Sequence, residues 1–158
     1  GYRSLRNGAP PEFAHFNDAG AEGRFVVKQI KGWLAAEVPG EHICLAVRTG
    51  ILMDRYEALL TQAGVATTRL KKNEPPKDGA VRIATMHRLK GLEFPNLLLA
   101  SVQEGVVPLQ LPSHLLGDEA SRQDHLKSER CLAYVAATRA RDALVVCGFG
   151  TPSPFSAG

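Results

Sequence analysis

Short apolar runs alternate along this chain with longer stretches of helical spacing, and that alternation most constrains its fold. Residues 42–47 hold Ile43, Cys44, Leu45, Ala46 and Val47 in succession, which reads as a strand buried on both faces. Residues 81–86 and 96–101 read the same way. Residues 12–16, 65–70 and 143–147 are further strand candidates. Between them, Phe25, Val26, Ile30, Trp33 and Leu34 share one helical face, with Glu22, Lys28, Lys31 and Glu37 elsewhere. Trp33 is thereby assigned to the core, and Pro39 and Gly40 end that helix. Leu52, Tyr56, Leu59 and Leu60 mark a second helix that closes at Gly64. A long helix is predicted over 118–138, opened by Asp118 and Glu119. Residues 71–79 and 105–117 carry prolines and no helical period, so they are loops. The predicted fold is α/β, a mostly parallel sheet flanked by helices, because parallel strands need crossover connections. Ligands in such sheets gather at the carboxyl ends of strands, so residues just after a strand are the first candidates for function.

A length of 158 residues fits one domain. The chain divides into an N-terminal segment 1–11, the α/β domain 12–150 and a loose tail 151–158. The net charge of +3 is too mild to imply a nucleic-acid partner. Seven basic residues from Arg69 to Lys90 stand against Glu74 and Asp78, an excess read first as solvated loop charge and second as phosphate contact. Cys44, Cys131 and Cys147 are odd in number and lack CxxC spacing, which favours reduced core thiols and a cytoplasmic setting. His15, His42, His114 and His125 have no metal-ligand spacing, so no metal site is expected. No apolar run is long enough to span a bilayer, no signal peptide is visible, and the expected state is a monomer.

Two stretches carry candidate chemistry. Val81 leads through Thr85 into a polar turn with His87, Lys90, Gly91 and Glu93, and the apolar run resumes at Phe94. Lys90 can offer a point charge to phosphate, Gly91 lets backbone approach closely, and Glu93 can accept from a ribose hydroxyl. The same residue types also suit a surface turn. In the second stretch Leu132, Val135 and Ala136 form a compact apolar helix face, with Thr138 and Arg139 near the helix end. A rigidly held guanidinium there suits charge stabilisation on a transferring phosphoryl group. A cation placed only to complement the helix dipole would look the same.

Thr85-Met-His-Arg-Leu-Lys-Gly-Leu-Glu-Phe94 closely resembles motif V of superfamily 1 DNA helicases of the UvrD/Rep/PcrA type, roughly T-x-H-x-x-K-G-L-E-F. Glu129-Arg-Cys-Leu-Ala-Tyr-Val-Ala-Ala-Thr-Arg-Ala140 resembles their motif VI, roughly E-R-R-L-L-Y-V-A-x-T-R-A. Upstream, Ile43-Cys-Leu-Ala-Val-Arg-Thr49 and the helix after it are similar to the strand-helix unit preceding motif V, so the resemblance covers about residues 12–148. Cys131 and Ala133 depart from the usual Arg and Leu. Tyr2-Arg-Ser4 is similar to part of motif IV, but Gly1 stands for Asn and the next residues do not continue into a helix. Arg3 is therefore a weak candidate, and the motif itself is expected upstream.

The resemblance implies domain 2A, the second RecA-like half of the motor, which closes on domain 1A of the same parent chain around ATP and Mg²⁺. It implies Arg139 as the catalytic arginine at the γ-phosphate, with Lys90, Gly91 and Glu93 in the ATP site. It further implies Thr85 and His87 on a single-stranded DNA track, and it leaves Tyr134 to helix packing. No G-x-x-x-x-G-K-[ST] loop occurs here, so the isolated chain is expected to be inactive and to bind no cofactor tightly. The 71–79 loop has no room for an inserted lobe. The competing reading is a non-catalytic nucleic-acid-binding or scaffold module.

Overall fold

A computed structural model describes residues 9–111, 114 and 117–156, so the Arg3 candidate lies outside the described residues. Six strands form one sheet: β1 (Glu12–Phe16), β2 (Ile43–Val47), β3 (Thr67–Arg69), β4 (Val81–Thr85), β5 (Phe94–Leu99) and β6 (Ala140–Phe149). Their order is β1-β6-β5-β2-β4-β3, and every pairing is parallel. Three helices cover it: α1 (Ala19–Ala35), α2 (Gly50–Gln62) and α3 (Glu119–Ala137).

Alternation along the strands builds two cores. Ile43, Leu45, Val47, Ile83 and Leu98 face α1 and α2, where Val26, Ile30, Tyr56 and Leu60 meet them. Cys44, Ala46, Ala84, Leu97 and Leu99 face α3, packing on Ala133, Ala136 and Ala137. Each helix begins where a side chain satisfies a free backbone amide. Asp18 accepts from Ala21 N at 2.8 Å, Thr49 from Leu52 N at 3.4 Å and Asp118 from Ser121 N at 3.2 Å. Asp118 thus opens α3 as its sequence suggests.

Several expectations need correction. Strand β6 begins at Ala140, not 143, because Ala140 pairs with Phe94 at the start of β5; the charged Arg141 and Asp142 hid its first turn of pleat. Glu22 is fully buried rather than on the polar side of α1. Tyr134 is exposed, because the stripe that packs on the sheet is Ala133-Ala136-Ala137 and residue 134 is rotated off it. Cys131 is exposed as well, while Cys44 and Cys147 are core residues. Trp33 is half-buried and packs at the rim of the α1–α2 core. Up to Ser156 the segment after β6 is not loose. Glu104 N donates to Thr151 O at 3.0 Å, Ser153 is buried with its hydroxyl on Val107 O, and Phe155 packs against the α3 core.

Three of the seven basic residues from Arg69 to Lys90 are engaged internally. Arg69 pairs with Glu57 at 2.9 Å and Asp54 at 2.5 Å, and Lys71 with Glu74 at 3.3 Å. Arg82 is buried and donates to Lys77 O at 2.9 Å and Ala80 O at 2.6 Å.

Candidate functional site

The decisive local feature is how the chain travels from β4 to β5. Both strands run the same way, so the connection must return from the carboxyl edge of the sheet to its amino edge. It does so in eight residues, beginning with a 3-10 turn, Met86–Leu89, whose buried Met86 and Leu89 dock into the core under α3. Thr85 is in register with Val47 at the carboxyl end of β2. Phe94 pairs with Ala140 at the amino end of β6. From Phe94 to the level of Thr85 the sheet measures on the order of 20 Å.

The sequence-predicted residues therefore divide into two groups. Thr85 (half-buried) and His87 (exposed) sit at the carboxyl edge. Lys90, Gly91 and Glu93 are exposed near the amino edge. Arg139 joins this second group, because α3 runs back across the sheet and ends where β6 begins. Residues just after a strand are the first candidates for function in the sequence; the second group instead lies at the amino edge, carried there by a short crossover.

At the amino edge the backbone joins the two stretches directly. Phe94 N donates to Arg139 O at 2.8 Å. Leu92 N donates to Leu89 O at 2.9 Å, and Gly91 makes the intervening turn at φ 82°. Thr138 closes α3: its hydroxyl donates to Val135 O at 2.8 Å and accepts from Arg139 Nη2 at 3.2 Å. Arg139 Nε is buried and has no hydrogen-bond partner among the described residues. Buried guanidinium N–H groups are nearly always satisfied, so this orphan is unusual. The neighbouring Arg141 guanidinium is pushed above its usual value, first by Asp142 at 3.2 Å and also by the charge of Glu93, which lies close enough to be felt.

Two clusters escaped the sequence reading. Arg48, just past β2, holds Glu129 of α3 through Nε at 3.0 Å and Nη2 at 2.8 Å; the side chains are only 12% and 5% exposed. Glu129 also accepts from Leu109 N at 2.6 Å, tying the loop after β5 to α3. Burial pushes the Glu129 carboxyl up, but the Arg48 and Leu109 hydrogen bonds outweigh it and hold it below the usual range. Glu129 opens the second motif stretch, and Arg48 follows an all-apolar strand; those placements were the available signal. On the other face, buried Glu22 accepts from Tyr56 OH and from Ser101 N at 2.8 Å, clasping α1, α2 and the end of β5. Nothing in the residue pattern distinguished Glu22 from a solvated acid.

Residues 52–149 match the family described as the UvrD-like helicase C-terminal domain. The chain belongs to that family. Over 110 residues it is similar to DNA helicase II of Salmonella typhimurium at 36% identity, covering 67% of this chain and 14% of that protein. Over 63 residues it is similar to the ATP-dependent DNA helicase PcrA of Leuconostoc citreum at 49% identity, covering 40% of this chain and 8% of that protein. The chain thus spans a small fraction of the curated relatives it matches. Its fold is similar to the crystal structure of the C-terminal domain of a possible DNA helicase from Lactobacillus plantarum, with TM-score 0.69 and 19% identity over 99% of this chain and 92% of that one. The α/β, RecA-like architecture expected for a UvrD-like C-terminal domain is the one found.

Proposed function

We propose that this UvrD-like domain is the second motor half of an ATP-dependent DNA helicase or translocase, supplying one wall of the ATP cleft and part of a single-stranded DNA track. The observation that carries the reading is the Phe94–Arg139 backbone bond, which holds the 90–93 turn beside the arginine whose Nε lacks an acceptor. A triphosphate would supply acceptors to that guanidinium, Lys90 a further positive charge, and Glu93 an acceptor for a ribose hydroxyl. Arg139 is the catalytic group in this reading, and Thr138 is a positioning residue because its hydroxyl orients Nη2. The residues fit a phosphate, and no group of three potential metal ligands is gathered among the described residues. The cradle for Mg²⁺ and for the β- and γ-phosphates falls to a partner domain, domain 1A of the parent chain. Thr85 and His87, at the far edge, face the DNA.

Separation of the two groups gives the reading a physical logic. Nucleotide and DNA would act on opposite ends of one rigid sheet, linked by a crossover whose Met86 and Leu89 are packed into its core. Titration of this chain alone with ATP and Mg²⁺ is expected to show no binding tighter than about millimolar, because half the cleft is missing. In the full-length protein, Glu93→Ala is expected to raise KM for ATP about tenfold with kcat little changed, the mark of a contact shared by ground and transition states. ATP turnover by the isolated chain, or an unchanged KM in the variant, would overturn the half-site reading.

A further inference from the structure

We propose that the groove between α1 and α2, on the sheet face opposite α3, docks an acidic amphipathic helix of a partner protein. The groove has a volume of about 700 Å³ and a floor of Gly20, Gly23, Val27 and Leu59. Gly23 lets the helices close up: a Cβ there would stand 3.1 Å from Leu59 Cδ1. From Ala19 to Lys31 the groove runs about 18 Å, or roughly three turns of a docked helix. Ile51, 81% exposed, shares the face of α2 that carries Arg55 and Leu59, and so extends the apolar strip at its head.

Charge selects the occupant. Arg24, Lys28 and Lys31 stand exposed along the α1 rim. The acids that would neutralise them are occupied elsewhere. Glu22, the one acid of α1, is buried against Tyr56 and Ser101. Asp54 and Glu57 of α2 are turned to Arg69. Arg55 lies in the groove wall, already paired with Glu22 at 3.9 Å and donating to Ala19 O at 2.9 Å, with the Tyr56 and Phe149 rings 5.0 and 5.3 Å away, so it is fixed in place and the free charge is that of the α1 rim. An apolar strip with a one-sided basic rim is complementary to a helix with Leu-type residues on one face and Asp or Glu beside them. Single-stranded nucleic acid fits less well, because the floor offers no aromatic face on which a base can stack.

The test uses a fluorescein-labelled 18-residue peptide of alternating Leu and Glu at helical spacing, a scrambled peptide of the same composition, and an oligo-dT strand, each titrated against the chain by anisotropy. The patterned peptide is expected to bind in the micromolar range and the scrambled one at least about tenfold more weakly. Lys28→Glu with Lys31→Glu is expected to weaken the patterned peptide about tenfold or more, and Ile51→Ser about threefold, with thermal midpoints unchanged because all three side chains are exposed. Equal binding of both peptides would reduce the groove to unspecific charge attraction and overturn the proposal. Oligo-dT binding that is lost in the charge-reversed variant, with no peptide binding, would overturn it in favour of a nucleic-acid surface.

Discussion

The amide of Phe94 donates to the carbonyl of Arg139 at 2.8 Å, so two stretches 45 positions apart in sequence share one hydrogen bond at the amino edge of the sheet. The bond belongs to the Phe94–Ala140 pair, the first of the parallel β5–β6 ladder. Any displacement of the 90–93 turn must therefore move against the ladder, and so against Arg139.

Gly91 tests the turn itself. Its φ is 82°, and a Cβ would meet nothing within 4 Å, so the cost of Gly91→Ala is backbone strain alone. That strain is about 1–2 kcal/mol. The thermal midpoint is expected to fall by roughly 2–8 °C, and Gly91→Asn should fall less, since Asn tolerates the left-handed region. Calorimetry of the three proteins checks this; an unshifted alanine variant would mean the turn relaxes without cost.

Glu129→Ala removes the carboxylate from a nearly buried pair and leaves Arg48 and the Leu109 amide without their acceptor. The expected loss is about 3 kcal/mol, at the low end for a broken buried pair because Arg48 keeps some access to water. The pH dependence has a definite sign. The folded carboxyl lies below its usual value, so its stabilisation is present above the unfolded value, near pH 4.5, and is lost as pH falls through the folded one. Urea unfolding at neutral and acid pH should show the gap between wild type and variant closing on acidification. A gap independent of pH would show that packing, not charge, is what Glu129 supplies.

The thiols make a further check. Cys131 is exposed, while burial pushes the Cys44 and Cys147 thiols far up and out of reach of reagents. Under native conditions a disulfide reagent is expected to modify one thiol quickly and the other two only at the rate of unfolding. Rapid reaction of two or three would contradict the packing of the central strands.

Much of this fold was legible because local pattern and global packing agree. The all-apolar 43–47 run had to be a doubly covered strand, and the caps Asp18, Thr49 and Asp118 open helices where short polar side chains precede helical spacing. Glu22 was misplaced because period alone cannot show that Tyr56 and Ser101 converge on it from 34 and 79 positions away. Tyr134 was misplaced because large aromatics are assigned to cores by default, whereas α3 packs through alanines to come close to the sheet. Lys90, Glu93 and Arg139 were grouped by the motif stretches they occupy; the edge they occupy was not legible, since the path of a crossover depends on which core its Met86 and Leu89 enter.

The most direct test of the central claim is the ATPase kcat of the full-length protein carrying Arg139→Ala, measured beside its thermal midpoint and its affinity for single-stranded DNA without nucleotide. The guanidinium's one side-chain hydrogen bond among the described residues is to Thr138, so the fold should survive and DNA affinity should change little. If Arg139 stabilises charge on the transferring phosphoryl group, kcat should fall on the order of 10³-fold or more. Arg139→Lys should not restore it, because an ammonium cannot reproduce the planar fork. A folded Arg139→Ala protein with near-normal kcat would contradict the account and leave this domain a non-catalytic wall of the cleft.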